Sequence, residues 1–576
     1  MGERARAQKV SAMSSVPVTN VAYLLDRTAF ANPDRTCLHY DATTLTVGEA
    51  RDTTSRLAQL FVQAGVSHGD RVMIVAHNSP YHYLVAVACA RIGAVFVPVD
   101  ARLHPVEIQR LVDFAAPRVL IACAEIGTAG AFTSTGTPIH FVIDDDVLAP
   151  PFTPALTNGY IALSAATGSF TADFVADGTA GNPAFNTEGY PSGVAVMMFR
   201  PAPPEAPRAL ELTHDNLWWA DRIFHDALGY GRDDIFLHSA RCSSIAGFNG
   251  GTLFHFARGG RIVIARTPSP AGLLHLIEEH RVTTMFGTPT TYSFMLDDDT
   301  FLTRDLSSLR YSFVGGAAVP PALMGRLDAA GLHPLNMWGS VETGGVGPYL
   351  PTARVAHKAE TVGRAMPHVE IRLVEPGTDT PVAPGEIGEM QLRGPSISAG
   401  YWHGDNYQRS SFAGEWFCSQ DHARVDADGY ISLVARVTDT IKTGGDTVHP
   451  EEIERVLHQY PGVRAALVTG VPDPVWGQVV GAAIVMDSHE SSPEDFATPD
   501  PATGGFAVVP QSLPVPSLDQ LRAFAAQALA SFKLPRLLVV LDELPVDDDG
   551  KLSRARLRDL FGHGTAAPAP AAPAAF

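Results

Sequence analysis

Two features of the sequence predict a large N-terminal α/β domain of packed sheets covered by helices, followed by a small α+β domain. From Pro17 onward, short apolar runs alternate with stretches of helical period, as expected for parallel strands joined by crossover helices. Near Arg436 the composition changes sharply, and a shorter mixture of apolar runs and amphipathic helices follows. A chain of 576 residues is too long for one simple core. Residues 1–16 read as a loose extension, 17–435 as the main domain and 436–562 as the second. Residues 563–576, HGTAAPAPAAPAAF, read as a disordered Pro/Ala tail.

The elements follow in order. Residues 46–64 carry the period of an amphipathic helix, and 71–76 form a continuous apolar run closed by Asn78-Ser79-Pro80, a buried strand. A second helix is predicted over 81–92 and the next strand over 95–99. Residues 124–193 are less regular, and 153–192, rich in Gly, Thr, Ala and Asn, are expected to be an irregular insertion. Order resumes with a strand over 194–199, a loop over 200–209, and a helix opened by LTHDN at 212–216. The second domain shows a helix over 450–459, apolar runs over 465–471 and 479–485, a Pro/Ser/Asp-rich loop over 486–516, a helix over 518–529 and the strand LLVVL.

Composition excludes several classes of function. The net charge of −19 argues against nucleic acid or an anionic membrane surface as main partner. Cys37, Cys89, Cys123, Cys242 and Cys418 are scattered, odd in number and without zinc-like spacing. No apolar h-region follows the N-terminal basic residues, and no apolar stretch is long enough to span a bilayer. A cytoplasmic, reducing location is expected.

Residues 194–219 have the layout of a phosphate-gripping loop, a strand leading through a loop into a helix. The contents do not suit phosphate. Pro201, Pro203, Pro204 and Pro207 remove four N–H donors, and Glu205 adds negative charge.

Further segments carry candidate chemistry. Gly315-Gly316-Ala317-Ala318 is a small-residue turn, and Trp338-Gly339-Ser340-Val341-Glu342-Thr343 follows it. Asp421 ends Trp416-Phe417-Cys418-Ser419-Gln420-Asp421 and precedes Ala435-Arg436. Lys442-Thr443-Gly444-Gly445-Asp446 lies early in the second domain, and Asp547-Asp548-Asp549-Gly550-Lys551 near its end. With LTVGEA, AGVSHGDRVMIVAHNSP and ARIGAVFVPVDARLHPVEI, these segments resemble the AMP-forming acyl and aryl acid ligases: acyl-CoA synthetases, peptide-synthetase adenylation domains and luciferases. The resemblance covers roughly residues 20–560.

The resemblance implies ATP, Mg²⁺ and CoA as cofactors, a small carboxylic acid as substrate, CoA or a carrier protein as acceptor, and a second domain that acts as a mobile lid. Lys551 matches the lysine that stabilises adenylation, and Glu342 the magnesium ligand. Arg208 falls on the phosphate-loop lysine and would, with Arg200, replace lost phosphate contacts. Gly315, Ala317 and Gly339 match the backbone around the adenylate, and Asp421 and Arg436 the ribose contacts. Gly444 and Gly445 match the loop lining the pantetheine tunnel, and Arg436-Val437-Thr438-Asp439 the hinge. Departures are Val341 for a threonine, Ser419-Gln420 for Thr-Gly, Ala435 for glycine, and Ser244 where a histidine often gates the acyl pocket. The residues leave two other readings open: a homologue that has lost ATP-dependent ligation and binds an adenylate or other partner, and a ligase using an amine acceptor.

Overall fold

The structure, a computed structural model, describes residues 19–41, 43–123, 126, 139–143, 160–163, 190–200, 207–266, 269–403, 406–408, 411–436, 440–486, 498–499, 506–507, 515–546 and 552–562. The expected N-terminal extension, most of the 153–192 insertion, Glu205, the hinge residues 437–439, Lys551 and the Pro/Ala tail lie outside the described residues.

Two nine-stranded sheets form the main domain. In the first, Val95–Asp100, Arg71–Ala76, Val119–Cys123, Ile139–Ile143 and Tyr160–Ala162 run parallel, because each is a short apolar run separated by a helix or long connection. In the second, Thr36–Tyr40, Arg261–Ile264, Ile235–His238, Thr284–Gly287, Tyr311–Gly315 and Pro334–Met337 are parallel. The helix Tyr81–Ile92 is buried along nearly its whole length, which fits a segment apolar on every face. Its one charge, Arg91, is paired bidentately with Asp26 at 2.6 Å. A third, antiparallel sheet runs from Glu370–Val374 to Ile431–Arg436, where the chain leaves it.

The strand Arg71–Ala76 and the helix Tyr81–Ile92 match their expected bounds, and the helix Val47–Gln63 begins one residue inside its own, capped by Thr46 and Glu49. Three expectations need correction. Tyr160–Ala162 is a strand inside the stretch expected to be irregular, drawn into the sheet beside Ile139–Ile143. Leu212 and Thr213 belong to a strand, Arg208–Thr213, that pairs antiparallel with Val194–Arg200, so the phosphate-loop region is a hairpin before it is a helix. Thr213 then caps the helix His214–Leu228. The helix expected over 518–529 ends at Ala525.

The small domain is a five-stranded sheet with Pro450–Leu457, Leu518–Ala525 and Arg554–Gly562 packed on it. The long pair Val463–Asp473 and Gly477–Met486 is its spine. It docks on the main domain through charge. Lys533, almost wholly buried, is held between Glu107 of the main domain and Glu452 of its own, the latter at 2.8 Å. Asp446 accepts from Arg241 at 2.6 Å and from Arg102 at 3.1 Å. The Thr290 hydroxyl donates to the Val475 carbonyl at 3.2 Å. No helix among the described residues is long and apolar enough to cross a membrane.

Candidate active site

A cleft of about 1340 Å³ opens between the two domains. Its floor is made where parallel strands end. Ser239 follows Ile235–His238, Thr288 follows Thr284–Gly287, Gly316 follows Tyr311–Gly315 and Trp338 follows Pro334–Met337. His77 and Arg102, from the first sheet, face them. Loops beyond the carboxyl ends of parallel strands are free of the ladder and present side chains and N–H groups, so this is where a doubly layered α/β fold binds ligands.

At one end Asp421 is buried and lines the cleft, where its Oδ2 accepts from the Trp338 indole Nε1 at 2.9 Å. This bond fixes the carboxylate, and a fixed carboxylate suits paired hydroxyls. The preceding Gln420 stands at φ 62°, the left-handed conformation natural to glycine. The Ser419 hydroxyl bonds the Met390 carbonyl at 2.6 Å and accepts from the Asp421 N–H at 3.1 Å, holding this turn. Gly316, Ala317 and Gly339 line the same wall. At Gly315 a Cβ would stand 2.5 Å from the Met337 carbonyl, and at Gly339 it would overlap the Gly345 carbonyl. Both glycines therefore close the protein's own backbone, whatever else they admit. Arg436 is the Cα partner of Asp421 across the strand pair.

At the phosphate-loop end, Arg200 turns inward. Its Nη1 is ion-paired with Glu342 Oε1 and lies 3.1 Å from the Tyr401 hydroxyl, which itself donates to the same carboxylate oxygen. Glu342 is fully buried. Burial alone would push its carboxyl up, but the Arg200 guanidinium and the Tyr401 hydroxyl outweigh that and hold it below the ordinary carboxylate range. Burial and the adjacent carboxylate push the Tyr401 hydroxyl up. Among the described residues Glu342 Oε2 has no hydrogen-bond partner, while the Ser340 hydroxyl beside the carboxylate adds to the pull that keeps it low. Arg208 is exposed, and its guanidinium lies over the Tyr401 ring, 5.7 Å from the centroid.

This arrangement does not fit the magnesium site expected at Glu342. One oxygen of one carboxylate remains, beside a fixed positive charge. A dication about 4 Å from a guanidinium meets roughly 8 kcal/mol of repulsion at an effective dielectric of 20. Among the described residues no group of three or more His, Cys, Asp or Glu side chains could hold a metal. Sequence reasoning placed Arg200 in the loop but not Tyr401, which lies 59 residues from Glu342 with no spacing signal to connect them.

The opposite wall comes from the small domain. Ile441–Thr443 and Asp446–Val448 form a hairpin whose turn is Gly444-Gly445, at φ 58° and 91°. That turn points into the cleft, with Gly445 against Thr288 and Gly444 against Trp476. Ser244 lines the cleft too, but its hydroxyl is engaged: it donates to the Arg241 carbonyl at 2.8 Å and accepts from the Gly247 N–H at 3.3 Å. It is a fixed helix cap and not a swinging gate. The structure thus brings together Asp421, Gly339, Ala317, Glu342 with Arg200, and the Gly444-Gly445 turn.

Comparison with known proteins agrees with this layout. The family described as AMP-binding enzyme matches residues 25–157 and 206–402, leaving residues 158–205 unmatched, and the AMP-binding enzyme C-terminal domain matches residues 452–551. A feruloyl-CoA synthase of Amycolatopsis sp. is 30% identical over 536 residues, spanning 93% of this chain and 98% of its own. An indoleacetate–CoA ligase of Aromatoleum aromaticum is 27% identical across 94% and 98%. Among solved structures, the o-succinylbenzoate CoA synthetase of Bacillus subtilis overlays with a TM-score of 0.76 at 22% identity, covering 93% of this chain and 98% of that one. The amide bond synthetase McbA of Marinactinospora thermotolerans overlays at 0.77, also at 22% identity, covering 94% and 99%. These last two are likenesses of fold. A two-domain body with its cleft at the strand ends, and a sequence match through both domains, place this chain in the AMP-binding enzyme family as an AMP-forming carboxylate ligase.

Proposed function

We propose that the protein is an acid–CoA ligase. A carboxylate oxygen attacks the α-phosphorus of ATP and pyrophosphate leaves, giving an acyl-adenylate. The CoA thiol, losing its proton, then attacks the acyl carbon, and AMP leaves with the electron pair of the broken C–O bond. The observation that carries this reading is the Gly444-Gly445 turn facing the cleft opposite Asp421, Trp338 and Ala317. Two positive-φ glycines let the turn seat closely against Thr288 and Trp476 at the edge of the cleft, and a pantetheine arm would pass beside it to reach an acyl group held on the far side.

In this reading Asp421 accepts the ribose hydroxyls, with its Oδ2 already oriented by Trp338. Arg436 assists there, and Lys551 stabilises the pentavalent phosphorus during adenylation. Arg200 and Arg208 supply the positive charge for the departing pyrophosphate that four prolines cannot. The small domain is a lid that turns about residues 436–439, and its docked pose belongs to thiol transfer. Phe286, Ile245 and Val341 give the acid an apolar wall, and the feruloyl and indoleacetate substrates of the relatives point to an aryl-substituted acid.

Calorimetry with ATP and with AMP, followed by a screen of aryl acids for pyrophosphate release, tests the reading. Wild type should bind both nucleotides. Lys551→Ala should bind ATP and release pyrophosphate at least about 100-fold more slowly, the scale of losing one transition-state charge contact. A protein that binds AMP but never ATP would belong instead to the adenylate-binding, ligation-deficient reading.

A further inference from the structure

We propose that Arg200 takes the place of a divalent cation at Glu342, so that the triphosphate end of the nucleotide is bound by a guanidinium and not by a protein-anchored metal. This rests on the ligase reading and deepens it.

Glu342 is wholly buried among Ser340, Tyr401 and the floor of the cleft, and a buried carboxylate must be neutralised. Arg200 does this through Nη1 on Oε1, with the Tyr401 hydroxyl donating to the same oxygen. The pair is a built feature of the fold. Arg200 is the last residue of the strand Val194–Arg200, its backbone fixed by pairing with Arg208. Tyr401 begins a strand bonded to Arg208–Thr213 on the other side. The two strands that flank Arg208–Thr213 thus deliver the cation and its supporting hydroxyl to one oxygen.

Arg200 has five N–H donors, and the contacts to Glu342 and Tyr401 both run through Nη1. Arg200 also lines the cleft. Donors therefore remain for a phosphate, and the side chain bridges Glu342 to the ligand as a metal ion would, with no exchangeable water. Four prolines in the adjoining loop remove amides, and Val341 lacks a hydroxyl. The positive charge that these losses would otherwise leave to a metal is covalently present.

The test is ATP binding by calorimetry in EDTA and in excess Mg²⁺, with Mn²⁺·ATP followed by electron paramagnetic resonance. Wild type should bind ATP with affinities within about threefold in the two conditions, and should not immobilise Mn²⁺ beyond what free ATP does. Arg200→Thr should bind ATP at least about tenfold more tightly with Mg²⁺ than without, a difference of about 1.4 kcal/mol, and should immobilise Mn²⁺. If Arg200→Thr fails to fold, the wild-type comparison of EDTA with Mg²⁺ decides alone, with Glu342→Gln as the control in which any metal-dependent gain must disappear. Wild-type binding that gains tenfold from Mg²⁺, with the gain lost in Glu342→Gln, overturns the proposal and leaves the ligase reading intact. ATP binding absent from every protein under both conditions overturns both.

Discussion

Single residues decide how this cleft is charged. Removing Arg200 by Arg200→Ala strands a fully buried carboxylate with one hydroxyl for company, so stability should fall by about 3 kcal/mol, the scale of breaking a buried pair from one side. The sign with pH follows from the lowered pKa of Glu342: the pair stabilises the fold above the ordinary glutamate value of 4.5 and loses that contribution as pH falls through the lowered one. Denaturant melts of wild type and variant at neutral and acidic pH should therefore differ most at neutral pH and converge in acid. Gln420 is strained in the opposite sense. At φ 62° it holds a left-handed turn that costs a side-chain-bearing residue about 1–2 kcal/mol, while glycine there adds chain entropy to the unfolded state. Gln420→Gly should raise stability by roughly 0.5–1 kcal/mol with Asp421 undisturbed, and an unchanged or lowered melting midpoint would contradict this. At this scale the sequence was only partly legible. Asp421 and Glu342 could be named from their neighbours, but the pairing of Glu342 with Arg200, 142 residues away, needs two strands to cross the sheet order first. No local pattern encodes that.

Elements were far more readable, because periodicity is a local property. The strand Arg71–Ala76 and the helix Tyr81–Ile92 have their bounds written in apolar runs and in the Pro80 and Gly93 that flank the helix. The errors fell where a tertiary partner overrode local pattern: Arg208–Thr213 reads as loop and helix start, yet it is bonded on both sides by strands. The Gly444-Gly445 hairpin shows the converse, a pattern whose structure follows directly from its residues. Two consecutive positive-φ positions select glycine for a two-residue turn, and here the missing Cβ atoms also admit neighbours. A Cβ on Gly445 would lie 2.5 Å from Thr288 Cγ2 and one on Gly444 2.8 Å from Trp476. Gly445→Ala should thus push the hairpin off the main domain and strain its turn. Pyrophosphate release, which in the proposed mechanism uses a different lid pose, should persist within about threefold, whereas thioester formation from preformed acyl-adenylate should fall by about tenfold or more, as a loss of over 1.4 kcal/mol in one pose requires. Equal losses in both half-reactions would show that the turn does not serve the thiol step alone.

The whole molecule is held in its docked pose by a small set of buried charges, and these make the pose sensitive to pH. Lys533 sits between Glu107 on the main domain and Glu452 on the small one, two carboxylates for one ammonium. Burial, with Glu107 as a close like charge, pushes Glu452 above the ordinary carboxylate range despite the attraction of Lys533. At Glu107 burial acts the same way, but Lys533 outweighs it and holds the carboxyl below that range. The lysine is raised by its two partners and stays charged. When the domains separate, Glu452 returns toward its ordinary value, so the docked form binds the extra proton. Docking is therefore fully supported below the ordinary glutamate pKa of 4.5 and is lost as pH rises through the raised value of Glu452. Glu107 contributes with the opposite sign, and its share is lost only in stronger acid. The second clasp sets Asp446 between Arg241 and Arg102, whose guanidinium groups stay charged. One proton limits the effect to about tenfold in the docking equilibrium per pH unit. Energy transfer between dyes on the two domains should report a docked fraction that falls from pH 5 toward pH 8, roughly the span over which one raised carboxyl titrates. Glu452→Gln, a permanently neutral acceptor for Lys533, should flatten that profile and keep the domains docked at the alkaline end. A wild-type profile that is already flat, or one that rises with pH, would mean that Lys533 neutralises both carboxylates equally and that the docked pose is set by Asp446 and the glycine hairpin instead.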